Sequence, residues 1–151
     1  MKILCLFIAG IAISIPCFSQ NTWQDVAAIN GLEVSVDTLS IKREGEFIYA
    51  QVKTAYTTDS TKNAYTDKIR RVYGQGRNGE KKLKKWEDFG YSISSRMYDC
   101  ANKRFKVLEI TDYTSGDKKI VSTKTPEKHR RWLPVGIETM GDYTLYYICD
   151  F

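Results

Sequence analysis

KRFKVLEITDYT, residues 103–114, sets Phe105, Val107, Glu109 and Thr111 on one side of an extended chain and Lys106, Leu108, Ile110 and Asp112 on the other. Side chains that change face at every residue describe a β-strand, and the aromatic and β-branched content suits a pleated surface. YSISSRMYDC (91–100) before it and KKIVSTK (118–124) after it have the same character, with a turn at residues 115–117. Short connections make antiparallel neighbours, so residues 91–124 predict a three-stranded meander.

Working outward, residues 23–56 are strand-like throughout. Leu32, Val34 and Val36 alternate with Glu33, Ser35 and Asp37. EFIYAQVKTAY (46–56) repeats the pattern, with Phe47, Tyr49, Gln51 and Lys53 facing one way and Ile48, Ala50, Val52 and Thr54 the other. KREGE places Gly45 at a turn between the two runs, so they predict a hairpin or a closely connected strand pair. Residues 59–87 differ, being polar and basic. Tyr65, Ile69 and Val72 or Tyr73 recur at helical spacing, Asp59, Ser60 or Thr61 is placed to start a helix, and Gly74 to end it. GQGRNGEKK then predicts a loop, while KKLKKWEDF is too short and too charged to assign. The tail DYTLYYICDF (142–151) has strand-forming residues, but TMGD before it has the form of a capping box. Thr139 would cap the helix and Asp142 would reach back, and Met140, Leu145, Ile148 and Cys149 then fall roughly along one helical face. The predicted fold is α+β: an antiparallel β-sheet of about five or six strands with a C-terminal helix packed on one face.

Residues 1–19, MKILCLFIAGIAISIPCFS, have one basic residue at Lys2, an apolar run over 3–15 and then small residues. That order predicts a cleaved secretory signal peptide, and the apolar run is shorter than the roughly 20 residues a membrane anchor needs. Cys17 is a poor acylation site because Ser14, Ile15 and Pro16 precede it. Cleavage removes 19 of 151 residues, leaving one domain over 20–151. A chain of that size buries roughly two thirds of its unfolded surface. Cys5 and Cys17 leave with the leader. Cys100 and Cys149 remain, and two cysteines in an oxidising compartment most simply pair. The bridge would close a loop of about 50 residues, which the chain-entropy model values at about 4 kcal/mol. It would staple the end of a strand to the C-terminal helix. The competing readings are a redox pair, which usually shows Cys-x-x-Cys spacing, and a zinc site, which would need two more ligands from a chain with one histidine.

Trp23 with VDTLSIKREGEFIYAQVK, YDCANKRFKVLEITDYTSGDKKIVST, Trp132, Pro134 and TMGDYTLYYIC together resemble the surface-adhesin protein E family. The resemblance covers residues 23–57 and 91–149. It implies a small antiparallel sheet with a disulfide-tethered C-terminal helix, and adhesion to host matrix and serum proteins. Residues 59–87 have no counterpart in it and stand as a basic insertion.

Between positions 62 and 85, nine basic residues face two acidic ones, Asp67 and Glu80. Arg70, Arg71, Arg77, Lys81, Lys82, Lys84 and Lys85 are therefore the candidate polyanion-binding residues, and KKLKKW sets an aromatic beside four lysines. Lys118, Lys119 and Lys124 are expected to contribute less, because Asp112, Asp117 and Glu127 lie near them in sequence. Gly74, Gly76 and Gly79 match G-x-G-x-x-G, but the preceding KIRRVY is charged where a dinucleotide site needs a buried strand, so no nucleotide cofactor is expected. His129 in EKHRRW has no nucleophile or carboxylate marked against it by any signature. No catalytic residue, metal ligand or cofactor is assigned. The expected function is that of a non-enzymatic exported binding domain with a protein or polyanionic ligand at the cell surface or in the periplasm. The alternatives are a periplasmic accessory domain for another envelope component and an unrecognised hydrolase.

Overall fold

The computed structural model describes residues 22–75 and 78–151, so the expected signal peptide, with Cys5 and Cys17, lies outside the described residues, as do Gly76 and Arg77. The alternating runs become β1 (Trp23–Ile29), β2 (Leu32–Glu44), β3 (Phe47–Tyr56), β4 (Phe89–Asp99), β5 (Arg104–Thr114) and β6 (Lys119–Lys124). They pair antiparallel in chain order, and a two-residue β7 (Leu133–Pro134) adds to β5. The sheet therefore has one strand more than the upper end of the expected range. Residues 23–44 are two strands, because Asn30 (φ 50°) and Gly31 (φ 78°) form a two-residue turn that pairs Ile29 with Leu32. Both turn residues sit in the left-handed region, where Asn and Gly are tolerated best.

Val34 and Val36 from β2 and Ile48, Ala50 and Val52 from β3 point to one face, joined by Tyr98 from β4. Leu145 and Ile148 of helix α3 (Met140–Asp150) close over them, and Ile148 is fully buried. Burying an aliphatic side chain of this size contributes about 1.5–3 kcal/mol. α3 lies against β1, β2 and β3. Thr139 caps it as expected, its Oγ1 accepting from the Asp142 N–H at 3.2 Å. The return contact differs from a capping box: Asp142 Oδ2 accepts from the Glu138 N–H at 2.9 Å, because Glu138 has a left-handed backbone (φ 57°).

Cys100 and Cys149 are bridged, with their Cα atoms 5.9 Å apart. Cys100 follows β4 directly and Cys149 lies in the last turn of α3, so the bond joins sheet to helix. Asp99 fixes the turn that presents Cys100. Its buried carboxylate accepts from the Asn102 side chain at 2.9 and 3.1 Å, from the Asn102 N–H at 3.1 Å and from Arg104 Nε at 2.8 Å. The Asn102 side chain first, and then Arg104, hold this carboxyl below the usual range against the opposing effect of desolvation.

Among the described residues no α-helix lies on the reverse face of the sheet. Tyr49, Lys53, Ile93 and Met97 are half-buried there, and Tyr91 stacks on Tyr113 with ring centroids 4.9 Å apart. Trp132 lies against Phe47 and takes the Arg104 and Lys106 cations at 4.6 and 4.3 Å from its centroid.

Candidate binding surface

Residues 59–87 fold back over the same face as α3, at the other end of the sheet. Helix α1 (Asp59–Tyr73) has the expected extent, but Thr58 is its cap, exchanging hydrogen bonds with Thr61. The expected loop turns helical at α2 (Gly79–Leu83), and the unassigned lysine run continues into a 3-10 turn, Lys84–Trp86. Gly79, the first residue of α2, must be glycine because a Cβ there would collide with the Gly74 carbonyl oxygen. The described glycines of the G-x-G-x-x-G pattern thus serve close backbone packing between α1 and α2.

α1 buries no residue fully. It is held instead by rings and one carboxylate. Tyr65 stacks on Phe89 with centroids 4.6 Å apart and tilts against Tyr56 at 4.9 Å. Tyr73 stacks on Trp86 at 5.5 Å. Beneath them Asp112 of β5 is only 3 % exposed; Tyr65 Oη donates to its Oδ1 at 2.7 Å and Trp86 Nε1 to its Oδ2 at 2.8 Å. Desolvation raises the Asp112 pKa, and the two donated hydrogen bonds oppose that rise without cancelling it. Desolvation, with Asp112 adding, drives the Tyr65 hydroxyl far up, so it stays a donor. Two donors on one buried carboxylate are what its burial demands. The sequence pattern could not disclose this anchor, whose three members lie on separate elements.

Of the expected polyanion-binding residues, Arg71, Lys81, Lys82, Lys84 and Lys85 are exposed on this layer. Arg70 is committed to an ion pair with Asp67, and Arg77 lies outside the described residues. The groove between α1 and the segment 80–89, about 580 Å³, mixes Lys62, Arg70 and Lys84 with Asp59, Glu80, Glu87 and Asp88, which makes it a poor anion site. Trp86 is 5 % exposed, so the aromatic beside the lysines is no stacking platform for a ligand. Asp112, expected to offset Lys118 and Lys119, is buried and bonded elsewhere, and Asp117 accepts from Tyr91 Oη at 2.9 Å. His129 is exposed at the end of a 3-10 turn, Glu127–His129. Among the described residues no three His, Cys, Asp or Glu side chains gather to hold a metal, and no helix is long and apolar enough to cross a membrane.

The family model of surface-adhesin protein E matches residues 23–150. Two solved structures of Haemophilus influenzae protein E share the fold. One, in crystal form II, aligns at 10 % identity and a TM-score of 0.54 over 93 % of this chain and 97 % of its own. Another aligns at 9 % identity and 0.50 over 87 % and 86 %. No curated protein matches significantly.

Proposed function

The chain belongs to the surface-adhesin protein E family, whose character is adhesin-like binding, and from that premise we propose that it is an exported, non-enzymatic domain that binds a polyanion or a protein through the α1–α2 layer. The observation that supports this is the placement of charge. The sequence sets nine cations against two acids over residues 62–85, and the described ones sit on a layer whose inner side is occupied by Tyr65, Tyr73 and Trp86, leaving Arg71, Lys81, Lys82, Lys84 and Lys85 exposed to solvent. A field of one sign on a mounted surface draws anionic groups by long-range attraction and counterion release.

Binding of heparin, used as a probe polyanion, should weaken steeply as salt rises. Replacing Lys81, Lys82, Lys84 and Lys85 with Ser should flatten that dependence while leaving the melting temperature nearly unchanged, since exposed charges contribute little to stability. A variant that binds like its parent would remove the layer as a binding surface. Protease treatment of intact cells locates the domain: release from the surface fits an adhesin that meets host matrix or serum proteins, and resistance assigns it to a periplasmic envelope partner.

A further inference from the structure

Lys84 and Lys85 of the 3-10 turn and Lys118 and Lys119 of the β5–β6 turn line one cleft of about 480 Å³, together with Thr114 and Ile120. More than thirty residues separate the two pairs in sequence, and the backbone brings them together. The Ser115 N–H donates to the Asp88 carbonyl at 2.9 Å, tying the exit of the 3-10 turn to the β5–β6 turn. Gly90 permits that approach, since a Cβ on it would stand 2.8 Å from Ser115 Cα. The far wall is fixed as well. Thr114 and Lys118 close the turn through Thr114 N–H to the Lys118 carbonyl at 2.9 Å and Lys118 N–H to Thr114 Oγ1 at 3.1 Å. The near wall is held by Trp86 through Asp112 and Tyr73. All four lysines are exposed, and among the described residues the side-chain ion pairs are Arg70–Asp67 and Arg104–Asp99, so no carboxylate within ion-pairing distance neutralises the four ammonium groups. Glu87 and Asp88 line the cleft as well, so its cations outnumber its acids by four to two.

We infer that this cleft is an anion subsite, formed jointly by Lys84, Lys85, Lys118 and Lys119, for the sulfate groups of a sulfated polysaccharide; the inference rests on the polyanion reading above and narrows it. Lysine ammonium groups are hydrated point charges without the planar fork that arginine offers to a single carboxylate or phosphate, so a row of them suits charges strung along a chain. Single-stranded nucleic acid relies on rings exposed for base stacking, and the ring at this site is buried.

The disulfide-intact protein should be titrated with a sulfated heparin tetrasaccharide and read by amide chemical shifts, beside Lys118→Ser/Lys119→Ser and Lys81→Ser/Lys82→Ser variants checked for an unchanged melt. Residues 84–86 and 114–120 should shift together, and Lys118→Ser/Lys119→Ser should weaken binding roughly tenfold at low salt. If that variant binds as the parent does while Lys81→Ser/Lys82→Ser loses affinity, the cleft is overturned and the polyanion reading of the layer stands. No binding by the parent overturns both. An oligothymidylate of equal charge that binds as tightly as the tetrasaccharide would overturn the assignment to sulfated sugar.

Discussion

Two helical layers cover the two ends of one sheet face, and they are attached by different physics. α3 buries Leu145 and Ile148 among valines and isoleucines and is covalently bonded to the end of β4. α1 buries nothing fully; it rests on stacked rings and on a carboxylate sunk beneath them. An apolar, stapled layer suits a scaffold. A layer attached at a few polar and aromatic points leaves most of its helical surface free to carry charge, and that is where the exposed cations of residues 62–85 sit.

The largest expected effect falls on the stapled layer. Replacing both Cys100 and Cys149 with Ser should cost about 4 kcal/mol by the chain-entropy model and loosen α3 before the rest, measured by denaturant unfolding and by exchange of α3 amides. Equal stability of the variant would show that the apolar contacts alone hold that helix.

Smaller losses are expected at the other end, and pH separates the two layers. Tyr65→Phe removes one donor from buried Asp112 and should cost roughly 1–3 kcal/mol. Asp112 titrates near 3.9 when unfolded and higher in the native state, so between those values the folded protein holds the extra proton. Its contribution to stability therefore falls as pH rises through that window, and Asp112→Asn should remove this fall. Asp99 beside the staple behaves oppositely: its native pKa lies below the unfolded value, so its stabilisation is present above that value and is lost as pH falls through the native one. Urea midpoints of the parent and of Asp112→Asn across pH 3–7 check the signs; identical profiles would contradict the buried anchor.

Much of the scaffold was legible because its cues are local. Period-two alternation at Phe47–Thr54 survives folding, since Ile48, Ala50 and Val52 are buried and their neighbours are not. At Phe105–Asp112 it breaks at a bulge between Val107 and Glu109, which turns Phe105 and Val107 to the same face as Ile110 and Asp112 instead of the opposite one. The Thr139 cap outweighed the strand-forming residues of the tail. Asn30–Gly31 was also a local hairpin signal, and attention to it divides residues 23–44 into two strands. The candidate site was legible only as charge. Whether Arg70 is free depends on Asp67 one helical turn away, and whether Trp86 faces a ligand depends on Asp112 and Tyr73. Lys118 and Lys119 join Lys84 and Lys85 through a backbone hydrogen bond between Ser115 and Asp88, for which no spacing rule exists.

The most direct test of this division of labour is native-state amide exchange with and without a heparin oligosaccharide. The account predicts that α1, α2 and the 3-10 turn at 84–86 open at a lower free energy than β2, β3 and α3, and that the oligosaccharide raises the opening free energy of that layer and of the β5–β6 turn but not of α3, by mass action on the closed form. A single common opening energy for both layers, or protection that appears on α3 and β1 instead, would contradict it.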